Sequence, residues 1–276
     1  MKSIRIFLLF ALVGLAFPLS AQEVGLQLYS LREQFKTDVP GTLKTIGELG
    51  IEHLEGGGTY GLSEADFKEL LVKNGLRITS LGASYEELRS DPEAVAKKAL
   101  RFGASYVMCS WIPHDGDIFG ISEVEKALEV FNKAGESMKK NGLVLVYHPH
   151  GYEFRPYQKG TLFDHMAVNS KNFYFEMDIY WVKQAGVDPL QLLRKYPEQF
   201  LLMHLKDRAH GTTGNPNGRG DVETNVVLGT GDVDVKSLLL EAKKLKIEYL
   251  FIEDESSRVL EQLPKSLEYA EKILEQ

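Results

Sequence analysis

From Val24 to the C-terminus, short apolar runs alternate eight times with segments of helical period, and no Pro/Gly/Ser-rich linker interrupts them. This alternation limits what the chain can fold into more than any other feature. The strand candidates are 24–29, 51–55, 77–81, 105–109, 143–148, 173–178, 200–206 and 249–253. Each is mostly apolar, as a strand covered on both faces must be. The helical segments carry their own punctuation. Ser63 with Asp66 and Asp91 with Pro92 mark helix starts, and Gly50, Gly75, Gly103 and Gly142 sit just past helix ends. Segment 124–138 places Val124, Leu128, Phe131 and Gly135 on one side of a helix. Eight strand-then-helix repeats predict an α/β fold, a closed (β/α)8 TIM barrel in a single domain. No G-x-G-x-x-G turn follows the first strand, which argues against an open dinucleotide-binding sheet.

Residues 1–21 read differently. Lys2 and Arg5 precede an apolar run, 6–15, which leads to Phe17, Pro18, Leu19, Ser20 and Ala21. That is the order of a secretory signal peptide with a cut near Ala21. The run is too short for a membrane span, which needs about 20 residues. The expectation is therefore a signal peptide at 1–21 and one barrel at 22–276, secreted to the periplasm with no membrane anchor after cleavage. Removing Lys2 and Arg5 from the 32 basic residues leaves 30 against 39 acidic ones. Such a chain is a poor partner for nucleic acid. The single cysteine, Cys109, cannot form an internal disulfide, so stability must come from the core, for which 43% hydrophobic residues suffice.

In a barrel of this kind the chemistry gathers at the C-terminal ends of the strands. The first four candidates end in Tyr29 with Arg32 nearby, Glu55 before Gly56-Gly57-Gly58, Gly82 with Ser84, and Ser110-Trp111. The last four end in His148-Pro149-His150 with Glu153, Glu176-Met177-Asp178, His204-Leu205-Lys206-Asp207 and Glu253-Asp254-Glu255. Carboxylates and imidazoles thus concentrate in the second half. A mixed N/O set without thiolate suits one divalent metal, Mn²⁺, Co²⁺, Mg²⁺ or Zn²⁺, and the assigned ligands are Glu153, Asp178, His204 and Glu253. Plainer readings stand beside these: His204 as a satisfied core histidine, Asp178 as a helix N-cap, Glu153 as a turn residue facing solvent. For Glu253 an uncompensated charge beside further acids would be costly without a cation.

The blocks Gly25-Leu26-Gln27-Leu28-Tyr29-Ser30-Leu31-Arg32, Tyr147-His148-Pro149-His150-Gly151-Tyr152-Glu153-Phe154, Asp178-Ile179-Tyr180-Trp181-Val182 and His204-Leu205-Lys206-Asp207 together resemble the sugar phosphate isomerase/epimerase family, the xylose-isomerase-like TIM barrel group. The resemblance covers essentially all of 22–276. It implies one divalent metal held by Glu153, Asp178, His204 and Glu253, and a small-molecule sugar substrate. Relatives commonly read His-Asn-His where this chain has His148-Pro149-His150, and many place a histidine at the end of the third strand that is lacking here. Both departures bear on substrate contacts more than on the metal.

The expected activity is that of a metal-dependent isomerase or epimerase acting through an enediolate on a keto-sugar, with Glu153 and Glu253 as the catalytic carboxylates. A leaving group β to the carbanion would turn the same apparatus into a lyase or dehydratase on a 3-keto-glycoside or cyclitol. A third reading is a non-catalytic sugar-binding barrel. Nuclease action fits neither the acidity nor the export signal. The substrate-binding candidates are His148, His150 and Lys206, with Arg32 and Glu55 more distant. A rim ion pair with Asp207 is the plainer reading of Lys206. Tyr29, Trp111 and Trp181 are placed to stack on sugar faces, although core packing explains any one of them alone. The stretch 211–231 is long enough to cover the mouth, and its lone basic residue, Arg219, favours a non-phosphorylated sugar. Pairing with a second copy of the chain is left open.

Overall fold

The computed structural model describes residues 22–276, so the expected signal segment lies outside the described residues. The apolar runs form β1 (Glu23–Gln27), β2 (His53–Glu55), β3 (Arg77–Gly82), β4 (Tyr106–Cys109), β5 (Val144–Tyr147), β6 (Tyr174–Asp178), β7 (Phe200–Leu205) and β8 (Tyr249–Ile252). Every neighbouring pair is parallel, and the strands close in sequence order, with β8 returning to β1. The main helices between and after them are α1 (Val39–Glu48), α2 (Glu64–Lys73), α3 (Pro92–Phe102), α4 (Ile121–Lys140), α5 (Leu162–Asn169), α6 (Pro189–Lys195), α7 (Val235–Leu245) and α8 (Val259–Leu274). The architecture is the single (β/α)8 barrel that the alternation predicts. Among the described residues no helix is long and apolar enough to cross a membrane.

The local signals act as physical chemistry requires. The Ser63 side chain accepts the Asp66 N–H at the start of α2, Asp91 accepts the Ala94 N–H ahead of Pro92, and Gly103 closes α3 in the left-handed conformation at φ 73°. Helix α4 buries Val124, Leu128, Phe131 and Gly135. Gly135 lets α4 lie directly on the Asn172 backbone, where a Cβ would collide with the carbonyl.

Side chains alternate along each strand, and the two faces have different fates. Leu26, Leu54, Val107, Leu145, Met177 and Leu205 turn outward into the large core beneath the helices. Met108, Val146, Leu202 and Phe251 turn inward and form a separate apolar plug inside the barrel. Phe251 fits because β1 carries Gly25 opposite it; a Cβ there would stand 2.7 Å from the ring and 2.5 Å from the His53 carbonyl oxygen. Two residues further along β5, β7 and β8, on the same inward face, stand His148, His204 and Glu253. The plug is thus the floor of a polar chamber at the C-terminal end.

The long connection after β7 is tied down. The Asp207 carboxylate accepts the backbone N–H groups of Arg208, Gly229, Gly231 and Val233 at 2.7, 2.9, 2.8 and 3.2 Å. Asp207–Arg208 pairs antiparallel with Asn225–Val226, and Arg208 binds both oxygens of Asp232.

Candidate metal and substrate site

His148 follows β5, Asp178 ends β6, His204 stands in β7 and Glu253 follows β8, so four adjacent strands each deliver one side chain to the chamber. One donor atom from each lies within 4.8 Å of all the others, and all four residues are buried. His148 Nε2 is 3.3 Å from Asp178 Oδ2, and His204 Nδ1 is 3.8 Å from the same oxygen and 3.2 Å from Glu253 Oε2. Asp178 does two jobs with two atoms. Its Oδ1 accepts the Trp181 N–H at 2.9 Å as an N-cap, while Oδ2 faces the cluster.

Burial would raise the Asp178 carboxyl, but the His148 and His204 rings beside it and the Lys206 charge hold it well below the usual carboxylate range. Burial also opposes ionisation of Glu253, and the Lys206 charge with His204 overcomes it, bringing that carboxyl down to about 2. Two ionised carboxylates therefore meet two imidazoles in a closed space. His204 Nδ1 is buried there and makes no hydrogen bond. Two nitrogens and two carboxylate oxygens, with an imidazole atom left free between them, fit a divalent ion of the Mn²⁺, Co²⁺ or Zn²⁺ type.

Glu153, expected as a ligand, stands apart from the cluster. It lies in the one-turn helix Tyr152–Phe154, fully buried, and accepts a bond from the Tyr147 hydroxyl and from the N–H groups of His150 and Gly151 at 3.1 and 3.0 Å. Its oxygens hold the β5 loop in shape. It reaches neither the cluster nor solvent, and burial lifts its pKa to about 7. His148, read from sequence as a substrate contact, occupies the fourth place in the cluster.

Glu55 also departs from expectation. It is completely buried below the cluster, where Oε1 accepts from Gln27 Nε2 at 2.7 Å and faces His204 Nε2 at 2.6 Å, so it is closed off from a substrate at the mouth. Glu176 lies beside it with neither oxygen hydrogen-bonded. Burial and the Glu55 charge push Glu176 well above the usual range.

Around the mouth, Lys206 is pinned between Glu253 Oε2 at 3.3 Å and Glu255 Oε1 at 2.5 Å, with the Tyr180 and Trp181 rings 5.3 and 5.5 Å away. The rim pair with Asp207 does not form, because Asp207 is occupied by backbone donors. Burial disfavours the Lys206 charge, yet Glu253 and Glu255 outweigh it and keep the ammonium charged. Arg32 stacks over Tyr29 at 4.6 Å and donates to the Glu255 carbonyl at 3.0 Å, bracing the segment that clamps Lys206. His150 lies 4.5 Å from the His148 ring and 5.4 Å from Trp181, with Nδ1 free of hydrogen bonds. Burial and the neighbouring His148 bring its pKa down to about 3, so the imidazole is neutral.

Of the three aromatic candidates, Tyr29 and Trp111 are about half exposed, whereas Trp181 is buried. One neighbour of Trp111 is His114, at 4.3 Å between rings. A cavity of about 360 Å³ opens at the ends of β2, β3 and β4, lined by Gly57, Gly82, Ser84, Met108, Ser110 and Trp111. Its wall is joined to the strand end that carries His148, whose backbone N–H donates to the Cys109 carbonyl at 2.9 Å.

Sequence reading gave no role to Gln27 or Glu176 and read His148 as a substrate contact, where the structure places it in the cluster. Strand parity was the available signal: Val146 and His148, Glu176 and Asp178, Leu202 and His204 are two apart and share the inward face.

A sequence profile of the xylose isomerase-like TIM barrel family matches residues 43–273. No curated protein matches the chain. Among solved structures, a sugar phosphate isomerase/epimerase from Parabacteroides distasonis is 25% identical, covering 96% of this chain and 100% of that one at a TM-score of 0.73. The probable 3-DHS dehydratase AsbF of Bacillus anthracis is 15% identical over 90% and 98%, at 0.68, and the IOLI protein with a bound zinc atom is 12% identical over 91% and 96%, also at 0.68. At those two identities the likeness is one of fold.

Proposed function

Since the chain belongs to the xylose isomerase-like TIM barrel family, we propose that it is a divalent-metal-dependent isomerase or epimerase of a non-phosphorylated keto-sugar. The observation that carries this reading is the buried convergence of His148, Asp178, His204 and Glu253 at the C-terminal mouth of the barrel. A divalent cation, when bound, supplies Lewis-acid stabilisation of the negative charge left on a sugar oxygen as the neighbouring C–H loses its proton.

The chain's own residues do the rest. His150, a neutral imidazole with no hydrogen bond at Nδ1, is offered as a partner for a sugar hydroxyl, and with Glu153 tied into the β5 loop the proton transfer falls to Glu253, the other carboxylate expected to move it. Lys206, held charged and aimed by Glu253 and Glu255, donates to the developing oxygen charge. Trp111 offers a half-exposed ring to the apolar face of the sugar, above a cavity of a size common for small-molecule sites. The cations near the mouth are already partnered, Lys206 by two carboxylates and Arg219 by Asp117 at 3.2 Å, which favours a neutral sugar over a phosphorylated one.

Return of the proton to the opposite face gives epimerisation, and return at the adjacent carbon gives isomerisation. A substrate with a leaving group β to the carbanion would lose it instead, a lyase outcome for which a probable dehydratase on this fold is a precedent.

The test is solvent exchange. Keto-sugars incubated with the Mn²⁺-supplied protein in D₂O should gain deuterium next to the carbonyl, and Lys206→Met should suppress the gain at least tenfold. A metal-loaded protein that binds keto-sugars yet never exchanges a C–H would leave only the sugar-binding barrel.

A further inference from the structure

We propose that Glu55 is a positioning residue for His204, fixing which ring nitrogen is offered to the metal; the inference rests on the metal reading above. The argument starts at Gln27, the last residue of β1. Its Oε1 accepts the Tyr29 N–H at 3.0 Å, and this backbone donor fixes which way round the amide stands. Nε2 must then point the other way, to Glu55 Oε1 at 2.7 Å. The same oxygen stands 2.6 Å from His204 Nε2. Gln27, Glu55 and His204 are all buried.

A carboxylate oxygen facing Nε2 requires the ring hydrogen there, because two lone pairs at hydrogen-bond distance repel. By the same argument Nδ1, 3.2 Å from Glu253 Oε2, carries a hydrogen of its own while no cation is present; a cation taken up between Asp178 and Glu253 would replace that hydrogen, whereas the one held at Nε2 by Glu55 stays. An imidazole that donates from one nitrogen to a carboxylate is also a more basic ligand through the other. Three strands, β1, β2 and β7, thus co-operate through a relay that begins on a backbone amide and ends at the cluster. Glu55 and His204 are 149 residues apart, so no local motif announces the pairing.

The test uses Co²⁺ as the probe with Glu55→Ala and Glu55→Gln. The Co²⁺ dissociation constant is measured by competition with a chelator, the visible absorption of the bound ion is recorded, and thermal unfolding is followed without metal. Positioning predicts that Glu55→Ala binds Co²⁺ on the order of 10–100-fold more weakly with shifted absorption bands. Glu55→Gln, which keeps an acceptor of the same shape, should recover at least part of the affinity. If both variants keep the parent's dissociation constant and spectrum, even with a lowered Tm, Glu55 is merely structural and the inference is overturned. A parent chain that takes up no Co²⁺ overturns the metal reading itself, and the inference with it.

Discussion

Glu153 sets three donors, the Tyr147 hydroxyl and two backbone amides, against the cost of burying a carboxyl group completely. Burial wins and pushes the carboxyl pKa up to about 7. Since this value is raised above that of the unfolded chain, the stability it contributes is complete at low pH and is lost as pH rises through about 7. Glu153→Gln removes that dependence, so its Tm relative to the parent should rise between about pH 5 and pH 8, by an amount equivalent to at most roughly 3 kcal/mol. A constant difference across that range would contradict the assignment. The neighbouring His148 shows what was legible at this scale. Asp178, His204 and Glu253 could be picked out because each is the polar residue that closes an apolar run. His148 has the same inward parity as Val146, and parity separates it from Glu153, which lies beyond the strand where alternation no longer holds. Glu55 and Glu176 were hidden for another reason: their neighbours come from other strands, and a sequence does not display contacts across a barrel.

At the scale of elements, strand and helix ends were the most readable part, because caps act within three or four residues of the group they satisfy. Ser63, Asp91 and Gly103 do so here. The connection after β7 was readable only as long and glycine-containing. Its anchor, Asp207, works through three amides more than 20 residues further on, those of Gly229, Gly231 and Val233, besides that of the adjacent Arg208. Asp207→Ala leaves those donors unpaired, at about 1–3 kcal/mol for each that stays buried. The 211–231 segment should then loosen before the barrel does. Limited trypsin digestion should cut after Arg219 well below the Tm of the variant while the parent resists; equal resistance would show that Asp207 is not the anchor.

For the whole molecule, one asymmetry explains most of what is seen. The barrel interior is apolar at the level of Met108, Val146, Leu202 and Phe251 and heavily charged just above it. A chain that buries Asp178, Glu253, His148 and His204 together near a single ammonium, Lys206, has arranged charge that a cation would complete. The eightfold alternation disclosed the barrel because closure follows from repetition and handedness. It could not disclose which four groups converge, because that depends on side-chain direction at each strand end. The most direct test is metal content by elemental analysis of residues 22–276, alongside His148→Ala and Glu153→Gln. The account predicts close to one divalent ion per chain in the parent and in Glu153→Gln, and its loss from His148→Ala. Loss from Glu153→Gln with retention in His148→Ala would contradict it.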